Sequence, residues 1–231
     1  MVFHLSQHLA RLRVALRGGV LLALLATLPG ASALDRDVML RAAQTQGPMA
    51  VSGARALQAL LTTLVGQDDE ARLGAINRFF NNRIVFTSDM EVWGVEDYWA
   101  SPLEMLGKGR GDCEDYVIGK YFSLIATGMA PARLRLVYVR ATQASGGRQG
   151  VTALAHMVLA YSALPGDDPL ILDNLIGEIR PASRRPDLLP VFSFNDVGLW
   201  QGVNGPSSGN PLSRLSRWRD VLAKVSAEGF L

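Results

Sequence analysis

The 231-residue chain has one cysteine, Cys113, and only three histidines. A single thiol excludes a disulfide framework, and one thiol with so few imidazoles excludes a thiolate–imidazole zinc site. Net charge is equally scarce. Lys and Arg total 23 against 21 for Asp and Glu, for a formal charge of +2. The excess comes from Arg11, Arg13 and Arg17, so residues 34–231 carry about −1. No basic surplus remains to argue for nucleic acid. After residue 33 there is no further long apolar run, and so no second candidate for the roughly 20 residues that a membrane-spanning helix needs. There is also no EF-hand loop.

Residues 1–33 have the pattern of a secretory signal peptide. The three arginines form a positive n-region, Val20–Leu28 is the apolar h-region, Pro29-Gly30 breaks it, and Ala31-Ser32-Ala33 is an A-x-A cleavage site. The expectation is an exported, periplasmic protein whose mature part, 34–231, is a single domain of 198 residues. His4 and His8 leave with the signal, and His156 is then the only histidine. An unpaired thiol retained in an oxidising compartment together with one imidazole points to a nucleophile and its base.

The chain is organised around Gly109–Tyr116 (GRGDCEDY). Two glycines loosen the backbone, Asp112 is a favourable N-cap, and Glu114 and Asp115 suit the positive end of a helix dipole. Val117, Tyr121, Leu124 and Ile125 follow at helical spacing, and Gly128 stops the helix. Cys113 then sits among unpaired N–H groups, a position that lowers a thiol pKa. The same three carboxylates carry an opposing field, which raises it. On the residues alone, an acidic first helical turn accounts for these carboxylates by the helix dipole.

Before this block, helices are expected over 35–65 with a break at Gln46-Gly47-Pro48, and from Asp68 to Asn82 with Leu73, Ile76, Phe79 and Phe80 buried. Arg83–Thr87 has strand composition, and Ser88–Leu106 is an aromatic stretch that Pro102 closes. Trp99 is either packing or a groove wall whose indole N–H serves an oxyanion. After the block, Leu134–Val139, Ala153–Tyr161 and Leu170–Asn174 are strands, with a glycine-rich turn over 141–150 and a turn at Pro165–Asp168. His156 has the parity of Leu154 and Val158, and Asp173 ends the third strand. Adjacent strands lie about 4.8 Å apart, so Asp173 can hold the imidazole while its other nitrogen faces Cys113. Residues 177–190 are expected as a surface loop, Val191–Phe194 as a further strand, Ser207–Pro211 as a linker and Ser213–Ala227 as a terminal helix.

The blocks Gly111–Tyr116 with Asp97-Tyr98-Trp99, Ala155–Val158 and Leu172–Leu175 resemble the bacterial transglutaminase-like cysteine proteinases, of the periplasmic adhesin-protease type. The resemblance implies a papain/transglutaminase-like α+β fold. In it an N-terminal helical layer and a helix begun by the Cys pack on an antiparallel β-sheet carrying His and Asp. It implies Cys113 as nucleophile, His156 as general base and acid, and Asp173 as orienter. It implies calcium held by Asp112, Glu114 and Asp115, with Asp97 as a further candidate ligand. The implied substrate is the N-terminal region of a large surface adhesin, cut to release it and disperse a biofilm. The implied partner is an inner-membrane cyclic-di-GMP receptor that sequesters the protease.

The residues alone leave two other readings open. One is an acyltransferase of transglutaminase type, since the triad does not choose between water and an amine. The other is a non-catalytic, calcium-dependent binding protein. The catalytic readings predict that iodoacetamide alkylates Cys113 rapidly at neutral pH in a His156-dependent manner, followed by mass spectrometry; an inert thiol is the outcome for the binding protein.

Overall fold

The computed structural model describes residues 34–144, 151–203 and 205–231. The signal-like segment 1–33 and the tip of the expected 141–150 turn lie outside these residues.

The helical layer forms where the apolar periodicity places it. α1 (Arg36–Gln46) is capped by Asp35, whose carboxylate accepts the Asp37 and Val38 N–H groups. α2 (Pro48–Thr63) follows after Gly47, with Pro48 at its first turn. α3 (Asp69–Arg83) begins at Asp68, which accepts the Ala71 N–H at 2.8 Å. Its Leu73, Ile76 and Phe80 are buried, whereas Phe79 is half-buried and meets Phe80 edge-on. Then come β1 (Val85–Phe86), α4 (Asp89–Trp93), α5 (Pro102–Lys108) and β2 (Arg110–Gly111), which pairs parallel to β1. Pro102 opens α5 rather than closing the aromatic stretch. At N1 its missing N–H is no loss, and Ser101 and Glu104 form a capping box around it.

α6 (Cys113–Ala126) is buried all round, from Glu114 to Ile125. A helix with no polar face belongs in the interior. It packs between α3, α5 and the sheet. The chain leaves it through Gly128, in the left-handed region, and enters the sheet.

β3 (Leu134–Ala144), β4 (Val151–Tyr161), β5 (Leu170–Leu172), β6 (Arg180–Pro181), β7 (Leu188–Phe194) and β8 (Leu199–Gln201) form one antiparallel sheet in the order β6-β5-β4-β3-β7-β8. The strand expected at 191–194 is longer and lies inside the sheet. Ser207–Pro211 is a packed segment and not a linker: Ser208 donates its N–H to Leu199 O, and Gly209 bridges to Leu199. The C-terminal helix is split at Leu215 into α7 (Pro211–Arg214) and α8 (Ser216–Ala227).

One face of the sheet meets α6 in the main core, to which β4 contributes Met157 and Leu159. Trp218 of α8 is fully buried there, stacked on Phe122 and edge-on to Tyr121 and Phe194. The other face carries a smaller cluster of Val137, Val139, Ala141, Val158, Ala160 and Ile171.

At Gly119 in α6 a Cβ would lie 2.6 Å from Met105 Cε and 2.8 Å from Phe80 Cε1. Gly119→Val is expected to destabilise the fold by about 1–3 kcal/mol through overpacking, read as a lower denaturant midpoint.

Candidate active site

Cys113 owes its place to the residues on either side of it. Gly111 has no room for a side chain, since a Cβ there would lie 2.7 Å from Asp115 Oδ2. That closeness lets Asp115 fold back. Its Oδ2 accepts the Asp112 N–H at 3.3 Å, and its Oδ1 accepts the Ala100 N–H at 2.7 Å. One buried carboxylate thus ties the start of α6 to the turn before α5. The half-buried thiol donates to Glu114 Oε2 at 3.0 Å and meets the backbone of Met157 on β4.

A helix start by itself lowers a thiol pKa, but here the opposite sign wins. Burial pushes Cys113 well up, the charge and hydrogen bond of Glu114 and the charge of Asp112 push the same way, and only the Met157 backbone opposes them. The helix end contributes about half a charge, and burial of the thiol together with the Glu114 contact outweighs it.

β4 and β5 supply the other two groups. The β4–β5 register stops at Leu159 opposite Leu172, and Asp173 is the first residue past the end of β5. His156 Nε2 and Asp173 Oδ1 are 2.8 Å apart, both residues being buried. Asp173 Oδ1 also accepts the Leu175 N–H at 3.0 Å, and Oδ2 accepts Arg185 Nη2 at 2.7 Å. Burial alone would raise this carboxyl; the bond and charge of His156, the Leu175 N–H and Arg185 outweigh it and hold the pKa at about 2. The acceptor is therefore an ionised carboxylate, so the proton between the pair sits on Nε2 and leaves Nδ1 as the free nitrogen.

The sulfur does not join this pair through a hydrogen bond among the described residues. It reaches β4 one position along, at Met157. The structure pairs His156 with Asp173 and Cys113 with Glu114, and brings the two pairs to neighbouring residues of one strand.

Two site expectations need correction. Trp99 is buried, stacked on Phe194, and gives its indole N–H to Asp97 Oδ1 at 3.0 Å. It is a core residue whose donor is already spent. Asp97 has a left-handed backbone, with φ of 55°, and its other oxygen pairs with Arg217 at 2.9 Å. It is not in the carboxylate cluster.

The fourth acid near the cysteine is Asp89, at the start of α4. Asp89, Asp112 and Asp115 each offer an oxygen within 4.8 Å of the others, and Asp112, Cys113 and Glu114 form an overlapping group. Asp89 Oδ1 and Asp112 Oδ1 are buried without hydrogen-bond partners. Burial first, and then the neighbouring acids, push Asp89 up to about 6 and raise Asp112 and Asp115 as well. Unbonded buried oxygens on mutually repelling carboxylates fit a hard divalent cation. Asp89 lies more than twenty residues before the cysteine with no motif around it. Only the fold discloses it.

The segment 177–190 is not simply a surface loop. It carries Arg185, which is buried and grips both Asp173 and Asp187. Asn81 of α3 donates to Asp173 O at 2.8 Å. No local signal in the sequence marks either residue.

Residues 54–205 match the family described as bacterial transglutaminase-like cysteine proteinase, BTLCP. The chain belongs to this family. Among solved structures, the proteinase is similar to EGTA-treated LapG of Legionella pneumophila, at 33% identity and a TM-score of 0.70, covering 84% of this chain and 98% of that one. It is also similar to calcium-bound Legionella pneumophila LapG, at 34% identity and a TM-score of 0.68, over 82% of this chain and 98% of the other. No curated protein matches the sequence. The proteinase has the LapG-like mixed fold of helices and antiparallel sheet, with its cysteine at a helix start.

The depressed Asp173 pKa stabilises the fold above the carboxyl's ordinary value near 3.8, and this contribution is lost as pH falls towards 2. Asp173→Asn is expected to cost about 2 kcal/mol or more at pH 7, with the gap to the parent protein closing below pH 4 in denaturant titrations.

Proposed function

We propose that this proteinase is a calcium-dependent, periplasmic cysteine endopeptidase. Its proposed substrate is the N-terminal region of a large cell-surface adhesin, whose cleavage releases the adhesin and promotes biofilm dispersal. An inner-membrane cyclic-di-GMP receptor is its proposed sequestering partner. The observation that carries the catalytic part is the buried His156–Asp173 pair on the strand whose next residue meets the Cys113 thiol. Family membership supports peptide hydrolysis, likeness to calcium-bound LapG supports calcium, and the sequence resemblance to the adhesin-protease type supports the adhesin substrate. The signal-like pattern of residues 1–33 supports export.

In this reading the chain supplies each group of an acyl transfer. The Cys113 sulfur attacks the scissile carbonyl after passing its proton to Nδ1 of His156. Asp173 keeps the other ring nitrogen occupied and stabilises the imidazolium. His156 then gives a proton to the leaving amine and activates the water that hydrolyses the thioester. The Cys113 N–H, at the first helical position, has no intrahelical acceptor and is the backbone donor for the oxyanion.

Asp89, Asp112 and Asp115 are the residues proposed to hold calcium, with Glu114 beside them. When bound, calcium supplies positive charge that offsets the carboxylates around the thiol.

Cys113→Ala is expected to abolish cleavage of adhesin fragments while leaving the circular dichroism spectrum unchanged; full activity would end the catalytic reading. A chelator is expected to stop cleavage reversibly. Asp89→Asn is expected to weaken calcium binding about tenfold or more in calorimetric titration, because a charged ligand is lost.

A further inference from the structure

Asp173 orients an imidazole only as well as it is itself held. The last torsion of an aspartate is soft, so a carboxyl gripped by one oxygen is free to turn. Oδ1 accepts His156 Nε2 at 2.8 Å and the Leu175 N–H at 3.0 Å, and Oδ2 is held by Arg185 Nη2 at 2.7 Å. The guanidinium is fixed in turn by Asp187. Its Nε lies 3.0 Å from Asp187 Oδ1 and its Nη2 lies 2.8 Å from Asp187 Oδ2, two bonds that set the plane of the group. With one Nη2 hydrogen given to Asp187, the other is left for Asp173.

The chain around these two residues forms a strap. It leaves β6 and enters β7, and β5, β4 and β3 lie between those strands in the sheet. Residues 182–188 therefore cross three strands on the face away from α6, where Ala182 and Leu188 pack against the smaller apolar cluster. Main-chain bonds pin both ends. Ala182 gives its N–H to Pro169 O at 2.8 Å, just before β5, and Thr142 of β3 gives its N–H to Asp187 O at 2.9 Å. Between the pins, Arg185 gives its N–H to Ala182 O at 2.9 Å, and its own carbonyl accepts the Leu188 N–H at 3.1 Å.

Stability alone is a weak reason for this arrangement. Arg185 and Asp173 are both buried, and apolar residues of like volume often fill a core as well as a buried ion pair, or better. Arg185 Nη1 is buried as well, with no hydrogen-bond partner among the described residues, which adds a cost. What the pair supplies in return is direction. We propose that Arg185 and Asp187 are positioning residues for the reaction: the strap carries a guanidinium that Asp187 orients, and this guanidinium holds the Asp173 carboxylate in the rotation that presents Oδ1 to His156. This rests on the catalytic reading of His156 and Asp173.

The test uses the full chain, loaded with calcium, with His4 and His8 replaced by glutamine so that His156 is its only imidazole. Arg185→Lys keeps the charge and replaces the planar fork by a single point donor. Asp187→Asn leaves Arg185 whole and weakens its anchor; Asp187 is partly exposed, so this variant is expected to fold with the melting temperature of the parent. On adhesin fragments, kcat is expected to fall about 10- to 100-fold in Arg185→Lys and about 3- to 10-fold in Asp187→Asn, with KM unchanged. The Nε2 proton of His156, followed by NMR with isotope-labelled histidine, is expected as a slowly exchanging low-field resonance in the parent and to exchange about tenfold faster in both variants. The kcat of the parent, or an unmoved Nε2 proton, in either folded variant overturns the proposal. A strap that only braces the sheet would lower the melting temperature and leave both readouts unchanged, and Asp187→Asn decides alone if Arg185→Lys does not fold. The catalytic reading fails separately, on cleavage by Cys113→Ala, while the Nε2 proton still reports the hold on Asp173.

Discussion

The first turn of α6 is the constraint from which the rest of the site follows. Every helix leaves its first N–H groups without intrahelical acceptors, and this one begins half-buried and runs at once into the interior, so partners must come largely from the protein. Asp115 answers part of the demand, reaching back to Asp112 N–H and sideways to Ala100 N–H. That fixes Cys113 at the first helical position. It also fixes the difficulty: the acids gathered at this helix start surround the one thiol. Two of their oxygens, on Asp89 and Asp112, find no donor. A fold that needs carboxylates at a helix start has thereby acquired a place for a cation beside a sulfur.

On the sheet side the organising fact is the shortness of β5. It pairs with β4 over three residues and stops. Asp173 leaves the ladder there, free to turn its carboxylate onto His156 and Arg185. Had β5 run on in register, Asn174 would lie opposite Met157. Instead the Met157 backbone meets the sulfur. The start of α6 therefore meets the sheet in the middle of β4, beyond the point where β5 stops.

Much of this was legible from the chain because it depends on local rules. The break at Gly47, the Asp68 start of α3, the Asp112 cap and the strands on either side of His156 all follow from periodicity and capping. So does the order of the elements that carry Cys113, His156 and Asp173. What was not legible depends on distance in space. Arg185 reads as one arginine of a proline-rich loop until the fold buries it against Asp173. Asp89 reads as an ordinary helix-opening acid until α4 is set beside β2. For Trp99 the sequence leaves packing and groove wall open, and its contacts with Tyr138 and Phe194 decide for packing. For the thiol the sequence sets the helix end against the carboxylates' opposing field, and burial, which raises the thiol first, is a property only the fold supplies.

The contact between Cys113 and β4 has one further consequence. Its partner is a main-chain group of residue 157, not a side chain. Exchange of this buried methionine for another apolar residue that fills the core leaves the sulfur's tether in place. Proline alone deletes the amide hydrogen. The point where the nucleophile docks on the sheet is thus insulated from apolar drift that keeps the core filled.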